Sequence, residues 1–184
     1  FISDFGSRAF RRPLTDEERA GLSAVYTTGR ELGAGQHMEG IRLVVEAVLQ
    51  APSFLYVDET GPVSKNGSVS LDAFQVASRL SLFLLDGLPD EGLRSAAADG
   101  SLLTPRGIER EVGRLLAKQE VKANISNMVM RLFQQHRLAG VSKAANIDFK
   151  PELAASMLEE TRHFIDDVLW EQDATWSELL LSRR

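Results

Sequence analysis

The chain has 184 residues, 43% hydrophobic and 26% charged, which excludes disorder as the dominant state. A net charge of −5 and a pI near 5.3 weigh against nucleic acid or an anionic membrane as the main partner. Cysteine is absent, which removes disulfides, thiolate catalysis, cysteine-ligated zinc and covalent c-type haem from this chain.

No uninterrupted apolar run reaches the roughly 18 residues of a membrane-spanning helix. The first residue is Phe1 and no signal-peptide pattern follows it, so the chain is expected to be a piece of something longer. All six prolines, at 13, 52, 62, 89, 105 and 151, fall where a helix should begin or a turn should sit. Since proline inside a helix costs about 3 kcal/mol, this placement predicts a mainly helical fold.

A first helix is expected over 2–11, with Ile2, Phe5, Ala9 and Phe10 inward. Thr15 and Glu18 form a capping box for a second helix running to Leu32 and carrying Leu22, Val25, Tyr26 and Leu32. A third is expected over 38–50, with Ile41, Val44, Val45, Val48 and Leu49 toward the core. Ser53 to Tyr56 reads as a short turn or an extended piece. The stretch 61–69, rich in Gly, Ser and Pro, is the best linker in the chain, and a hairpin around Asn66-Gly67 is an option there.

The stretch 71–85 reads LDAFQVASRLSLFLL. Val76, Ala77, Leu80, Phe83 and Leu84 form a wide apolar stripe, and Gln75, Ser78, Arg79 and Ser81 leave a narrow polar edge. A helix so apolar belongs inside a helical bundle; Ser70 is its expected N-cap and Gly87 its stop. A short helix should run from Pro89-Asp90-Glu91 to about Asp99, closed by Gly100, and another should start at Pro105 with Ile108, Val112, Leu115 and Leu116 inward. Val121, Ile125, Met128, Val129, Leu132 and Phe133 give the next stripe, and His136 continues it as a partly buried helix-end residue. After a loop over 138–150, a long helix is expected over 151–170 with Ala154, Met157, Leu158, Thr161, Phe164, Ile165 and Val168 inward. A final helix should start at Thr175, boxed with Glu178.

The fold expected is therefore all-α. A small three-helix unit at 1–60 is joined through 61–69 to a helical bundle at 70–184 built around a central apolar helix.

The sharpest polar constellation lies on the last long helix. His163 has Glu159 and Glu160 one turn before it and Asp166 and Asp167 one turn after, and all five are expected to point away from the apolar stripe. The spacing Glu160-x-x-His163 is that of di-iron carboxylate bundles, but a second copy and two further inward glutamates are lacking. The default reading is a solvated acidic face, with a metal site through Glu159, Glu160 and His163 as the alternative. The four carboxylates are expected to raise the His163 pKa. Arg8, Arg11 and Arg12 read as a solvated or salt-bridged face, with a polyanion site as the minor alternative. His37 beside Met38 invites a haem-ligand reading, against which stands that of a loop histidine with no further role. Met128 and Met130 are read as core fillers, with Met128 alone on the stripe.

Three segments together carry a resemblance: 7–18 (SRAFRRPLTDEE), 40–56 (GIRLVVEAVLQAPSFLY) and 77–91 (ASRLSLFLLDGLPDE). The first two resemble the start and end of the domain-of-unknown-function family numbered fifteen ninety-five. The third resembles the opening of the family numbered fifteen ninety-two, which commonly follows it. Both are common in planctomycete and myxobacterial secreted proteins. The resemblance implies a large, periplasmic or extracellular protein whose further domains often carry a C-x-x-C-H haem attachment motif. It carries over no established catalytic residue, so the catalytic residues stay unknown; it implies no cofactor bound within this chain, and haem c in the region past Arg184, where the second domain is expected to continue.

Two functions follow as expectations. The first is a non-catalytic helical scaffold whose partners are the remaining domains of the same haem-linked redox protein. The second is an enzyme domain, metal-assisted through Glu159, Glu160 and His163 or completed by residues beyond Arg184.

Overall fold

The computed structural model describes residues 1–141, 149–171 and 175–181. Among these the fold is all-α, and extended pairing is confined to one antiparallel bridge between Val63 and Val69. The middle of the loop expected over 138–150 and the last three residues lie outside the described residues. The chain forms two compact units, Phe1–Leu115 and Leu116–Arg184.

In the first unit, α1 (Ile2–Ala9), α2 (Asp16–Leu32), α3 (His37–Gln50) and the single turn α4 (Pro52–Leu55) surround one apolar core. Ala9, Phe10, Leu14, Leu22, Val44 and Val48 are buried there, with Phe5, Val25, Tyr26 and Phe54 packed against them. Val44 and Val48 are fully buried, worth about 1.5–2 kcal/mol each. Leu49 and Leu32, both expected to face inward, are 43% and 80% exposed. The buried edge of α3 is the narrow line Gly40, Val44, Val48, and the end of α2 runs past the core.

The capping box of α2 forms as expected: the Glu18 amide donates to Thr15 Oγ1 at 3.1 Å, and the Thr15 amide donates to Glu18 Oε2 at 2.9 Å. The residues after α4 make a small hairpin, with the Ser64 amide bonded to the Ser68 carbonyl and the Ser70 amide to the Pro62 carbonyl. This segment is fastened to the following helix: Gln75 Nε2 donates to the Thr60 carbonyl at 3.0 Å, and Arg79 pairs with Glu59 at 3.3 Å.

The next helix, α5 (Ala73–Leu84), departs from expectation at both its start and its face. Its N-cap is Asp72, not Ser70: the Asp72 carboxylate accepts from the Gln75 amide at 2.8 Å, and Gln75 Oε1 accepts from the Asp72 amide at 3.0 Å. Its buried face is Ala73, Ala77, Ser78, Ser81 and Leu84, while Phe83 is 62% exposed. The two serines enter the interior because each hydroxyl is satisfied within its own helix, Ser78 on the Phe74 carbonyl and Ser81 on the Ser78 carbonyl. Their small size lets α6 (Glu91–Ala98) and a 3-10 turn (Ser101–Leu103) approach closely. Leu93, Ala96, Ala97 and Leu102 fill that contact. Asp90 caps α6 and accepts two hydrogen bonds from Arg114 of α7 (Pro105–Leu116), which also bonds the buried Glu111.

In the second unit, α8 (Gln119–Leu132) packs on α9 (Pro151–Asp166), which continues into a π-helical turn (Asp167–Glu171) and is followed by α10 (Trp176–Leu181). Val129, Met130, Ile165, Val168 and Leu179 form the core. Of the two methionines expected as core fillers, Met130 is in the core at 8% exposed, while Met128, the one placed on the stripe, is 37% exposed. Leu132, Phe133 and Met157 are also exposed; the buried residues are Val121, Ser126, Val129 and Met130 on α8, Ala154 and Ile165 on α9, and Val168 in the π-helical turn. His136 is exposed on a 3-10 segment (Gln135–Gly140) instead of closing the α8 stripe.

Candidate functional site

A polar cleft lies in the first unit, between the end of α1 and the start of α5. It holds about 80 Å³ and is lined by Phe10, Arg11, Arg12, Asp58, Asp72 and Gln75, among others. Arg11 has a left-handed backbone with φ 59°, which turns the chain out of α1. Its guanidinium donates to the carbonyls of Ser53 at 2.9 Å, Phe54 at 3.3 Å and Tyr56 at 2.7 Å. These are carbonyls that a one-turn helix leaves without internal partners.

Arg12 lies over the Phe10 ring and meets Glu18 through two parallel bonds of 2.8 Å. That hydrogen bonding, together with the capping bonds from Thr15, holds the Glu18 carboxyl at a pKa of about 2. Asp58 and Asp72 add their field to Arg12, so two guanidinium groups stand among three carboxylates. An anion entering the cleft meets no net attraction, and the planar forks that would grip a phosphate are already occupied. Arg8 stands apart on the exposed side of α1. The polyanion alternative for Arg8, Arg11 and Arg12 therefore lacks its geometry.

His37 is the first residue of α3, not a loop residue, and it has a partner: its Nδ1 lies 2.5 Å from the Tyr26 hydroxyl, with the two rings edge to face at 5.6 Å. Tyr26 was legible as a core residue, but nothing in the spacing of 26 and 37 signals a pair. The contact arises because α2 and α3 run back against each other across the Gly33–Gln36 turn.

On α9 the structure separates the five residues grouped by sequence. Glu159, Glu160 and His163 are exposed; His163 Nε2 is 3.8 Å from Glu159 Oε1, with side chains 76% and 71% exposed. Asp166 instead turns inward, accepting from the buried Ser126 hydroxyl at 2.5 Å, and Trp170 Nε1 donates to the same hydroxyl at 3.1 Å. The helical wheel misplaced Asp166 because Ser126, on another helix, supplies the polar partner that makes an inward carboxylate tolerable. Among the described residues, no three His, Asp or Glu side chains converge as a metal cage. No described helix is long and apolar enough to cross a membrane.

Residues 71–184 match the family model described as PSD4, protein of unknown function (DUF1592). Residues 1–59 match that described as PSD5, protein of unknown function (DUF1595). Comparison with curated proteins and with solved structures finds no match. The stretch between the two family matches, 60–70, lies inside the first compact unit.

Proposed function

We propose, from the premise that this chain belongs to the PSD4 family of proteins of unknown function, that it is a non-catalytic helical scaffold within a larger exported protein. In this reading the redox chemistry belongs to a c-type haem on further domains of the same protein. The resemblance of 7–18, 40–56 and 77–91 to families found beside haem-attachment domains supports the haem link and the periplasmic or extracellular location. The observation that carries the scaffold role is the use made of the charged side chains. Arg11 ties α1 to the end of α4, Arg12 closes on the capping box of α2, and Arg114 ties α7 to the cap of α6. Each holds one segment against another, with its guanidinium engaged in hydrogen bonds to the chain, including Arg11 and Arg12 where they line the polar cleft.

The test is made on the whole gene product purified from its native host after cell fractionation. The reading predicts recovery outside the cytoplasm and a pyridine haemochrome spectrum with haem bound covalently. A cytoplasmic product without covalent haem would overturn it.

A further inference from the structure

Tyr26 and His37 share a hydrogen bond that the packing of their helices does not require. Gly29 and Gly40 already bring α2 and α3 to backbone contact: a Cβ at Gly29 would come within 2.8 Å of the Glu39 carbonyl oxygen. We propose that Tyr26 is a redox-active side chain. It gives one electron to a one-electron metal oxidant outside this chain, and its phenolic proton crosses to His37 Nδ1 in the same event. This adds to the scaffold reading and does not rest on it, since any metal centre of sufficient potential can serve as the oxidant.

The step balances within the pair. The O–H bond of Tyr26 breaks and an N–H bond forms on Nδ1. The phenol becomes a neutral phenoxyl radical, the imidazole becomes an imidazolium, and the metal is reduced by one electron. When one electron returns to Tyr26, the proton goes back from Nδ1 to the oxygen and the pair is regenerated.

The geometry favours this coupling. The Tyr26 oxygen lies 2.5 Å from Nδ1, so the proton needs neither a bridging water nor a side-chain rotation. The phenol is the more acidic partner, so its O–H donates and the imidazole proton sits on Nε2. A phenol ordinarily keeps its proton to about pH 10. Loss of an electron makes it a strong acid, and a base already in hydrogen-bond reach then takes the proton. The pair is also held in register. A Cβ at Gly40 would come within 2.6 Å of the Tyr26 ring, and Gly40 follows His37 by one turn on the same face of α3. The ring thus lies along α3 with its hydroxyl delivered to position 37, and its body packs against the core of the first unit. The second tyrosine supplies the contrast. Tyr56 is 71% exposed, and among the described residues its hydroxyl has no hydrogen-bond partner, so its proton goes to water.

The experiment photogenerates ruthenium(III) tris-bipyridine beside the 184-residue chain at pH 8 and follows phenoxyl absorption. Tyr56→Phe leaves Tyr26 as the one tyrosine, and Tyr26→Phe leaves Tyr56. Tyr26 should be oxidised about 100-fold faster than Tyr56, the low end of what a positioned base contributes. Exposure alone would rank the two the other way. His37→Gln keeps an acceptor but no base, and should bring Tyr26 down to the Tyr56 rate. Should that variant fold poorly by circular dichroism, the two single-tyrosine proteins decide. Freeze-quenched Tyr56→Phe should give an electron paramagnetic resonance signal that narrows when its tyrosine is ring-deuterated, which separates Tyr26 from Trp170 and Trp176. A Tyr26 rate no greater than that of Tyr56, an unchanged rate in folded His37→Gln, or a signal indifferent to tyrosine deuteration would overturn the proposal. None of these outcomes bears on the location and haem tests of the scaffold reading.

Discussion

Arg11 shows how one side chain can organise a chain crossing. Its left-handed backbone costs about 1 kcal/mol for a residue with a Cβ, and its guanidinium returns more than that through three carbonyls contributed from outside α1. Arg11→Met should therefore destabilise the chain by about 2 kcal/mol, and Arg11→Lys by nearly as much because an ammonium cannot span the same fork; denaturant titration followed by circular dichroism checks both. Glu18 makes a prediction in pH. Its folded pKa of about 2 lies below the ordinary 4.5, so its contribution is fully present above pH 4.5 and is lost as the pH falls toward 2. Glu18→Gln should be less stable than the unaltered chain at neutral pH, and the gap should close between pH 4.5 and 2. A gap that persists at pH 2 would show that the carboxylate charge is not its source. Sequence revealed the Thr15–Glu18 box because capping is local. It concealed the Arg12–Glu18 pair and the Arg11 clamp, because those depend on where the chain returns.

At the scale of elements, the helices were legible and their faces only partly so. Periodicity located α2, α7 and α9 because each has a cap or a proline at its start and a stripe behind it, and α3 from its stripe alone. On α5 the apolar residues outnumber the positions that can be buried, so their count could not choose a face. Ser78 and Ser81 chose it by being small and self-satisfied. The same logic governs the crossing of α2 and α3. A Cβ at Gly29 would come within 2.8 Å of the Glu39 carbonyl, and one at Gly40 within 2.8 Å of the Tyr26 carbonyl. Gly40→Ala should cost about 1–3 kcal/mol by overpacking, read as a lowered thermal midpoint, even though alanine is the better helix former. In α8, Ser126→Ala should cost about 2 kcal/mol by leaving the Asp166 carboxylate and the Trp170 indole without their shared partner. Exposed Ser156→Ala, on the outer side of α9, should be nearly neutral in the same denaturant assay.

For the whole molecule, the family matches and the compact units partition the chain differently. The first unit takes in all of the 1–59 match and the opening helices of the 71–184 match. The fastening of residues 57–72 through Gln75 and Arg79 gives the physical reason: the segment between the matches is bonded to α5 instead of hanging as a free tether. The sequence showed this stretch as polar and turn-rich, which is true, but composition cannot distinguish a tether from a strap. The acidic face around His163 was legible as a helical pattern, and its division into an exposed half and the inward Asp166 was not, since Ser126 lies 40 residues away in the chain.

The scaffold account is tested most directly by elemental analysis of the purified chain beside its His163→Ala variant, after chelator treatment and dialysis against a mixture of first-row transition metals. The account predicts substoichiometric metal in both proteins and no difference between them. One equivalent of a transition metal in the unaltered chain, lost on His163→Ala, would contradict it.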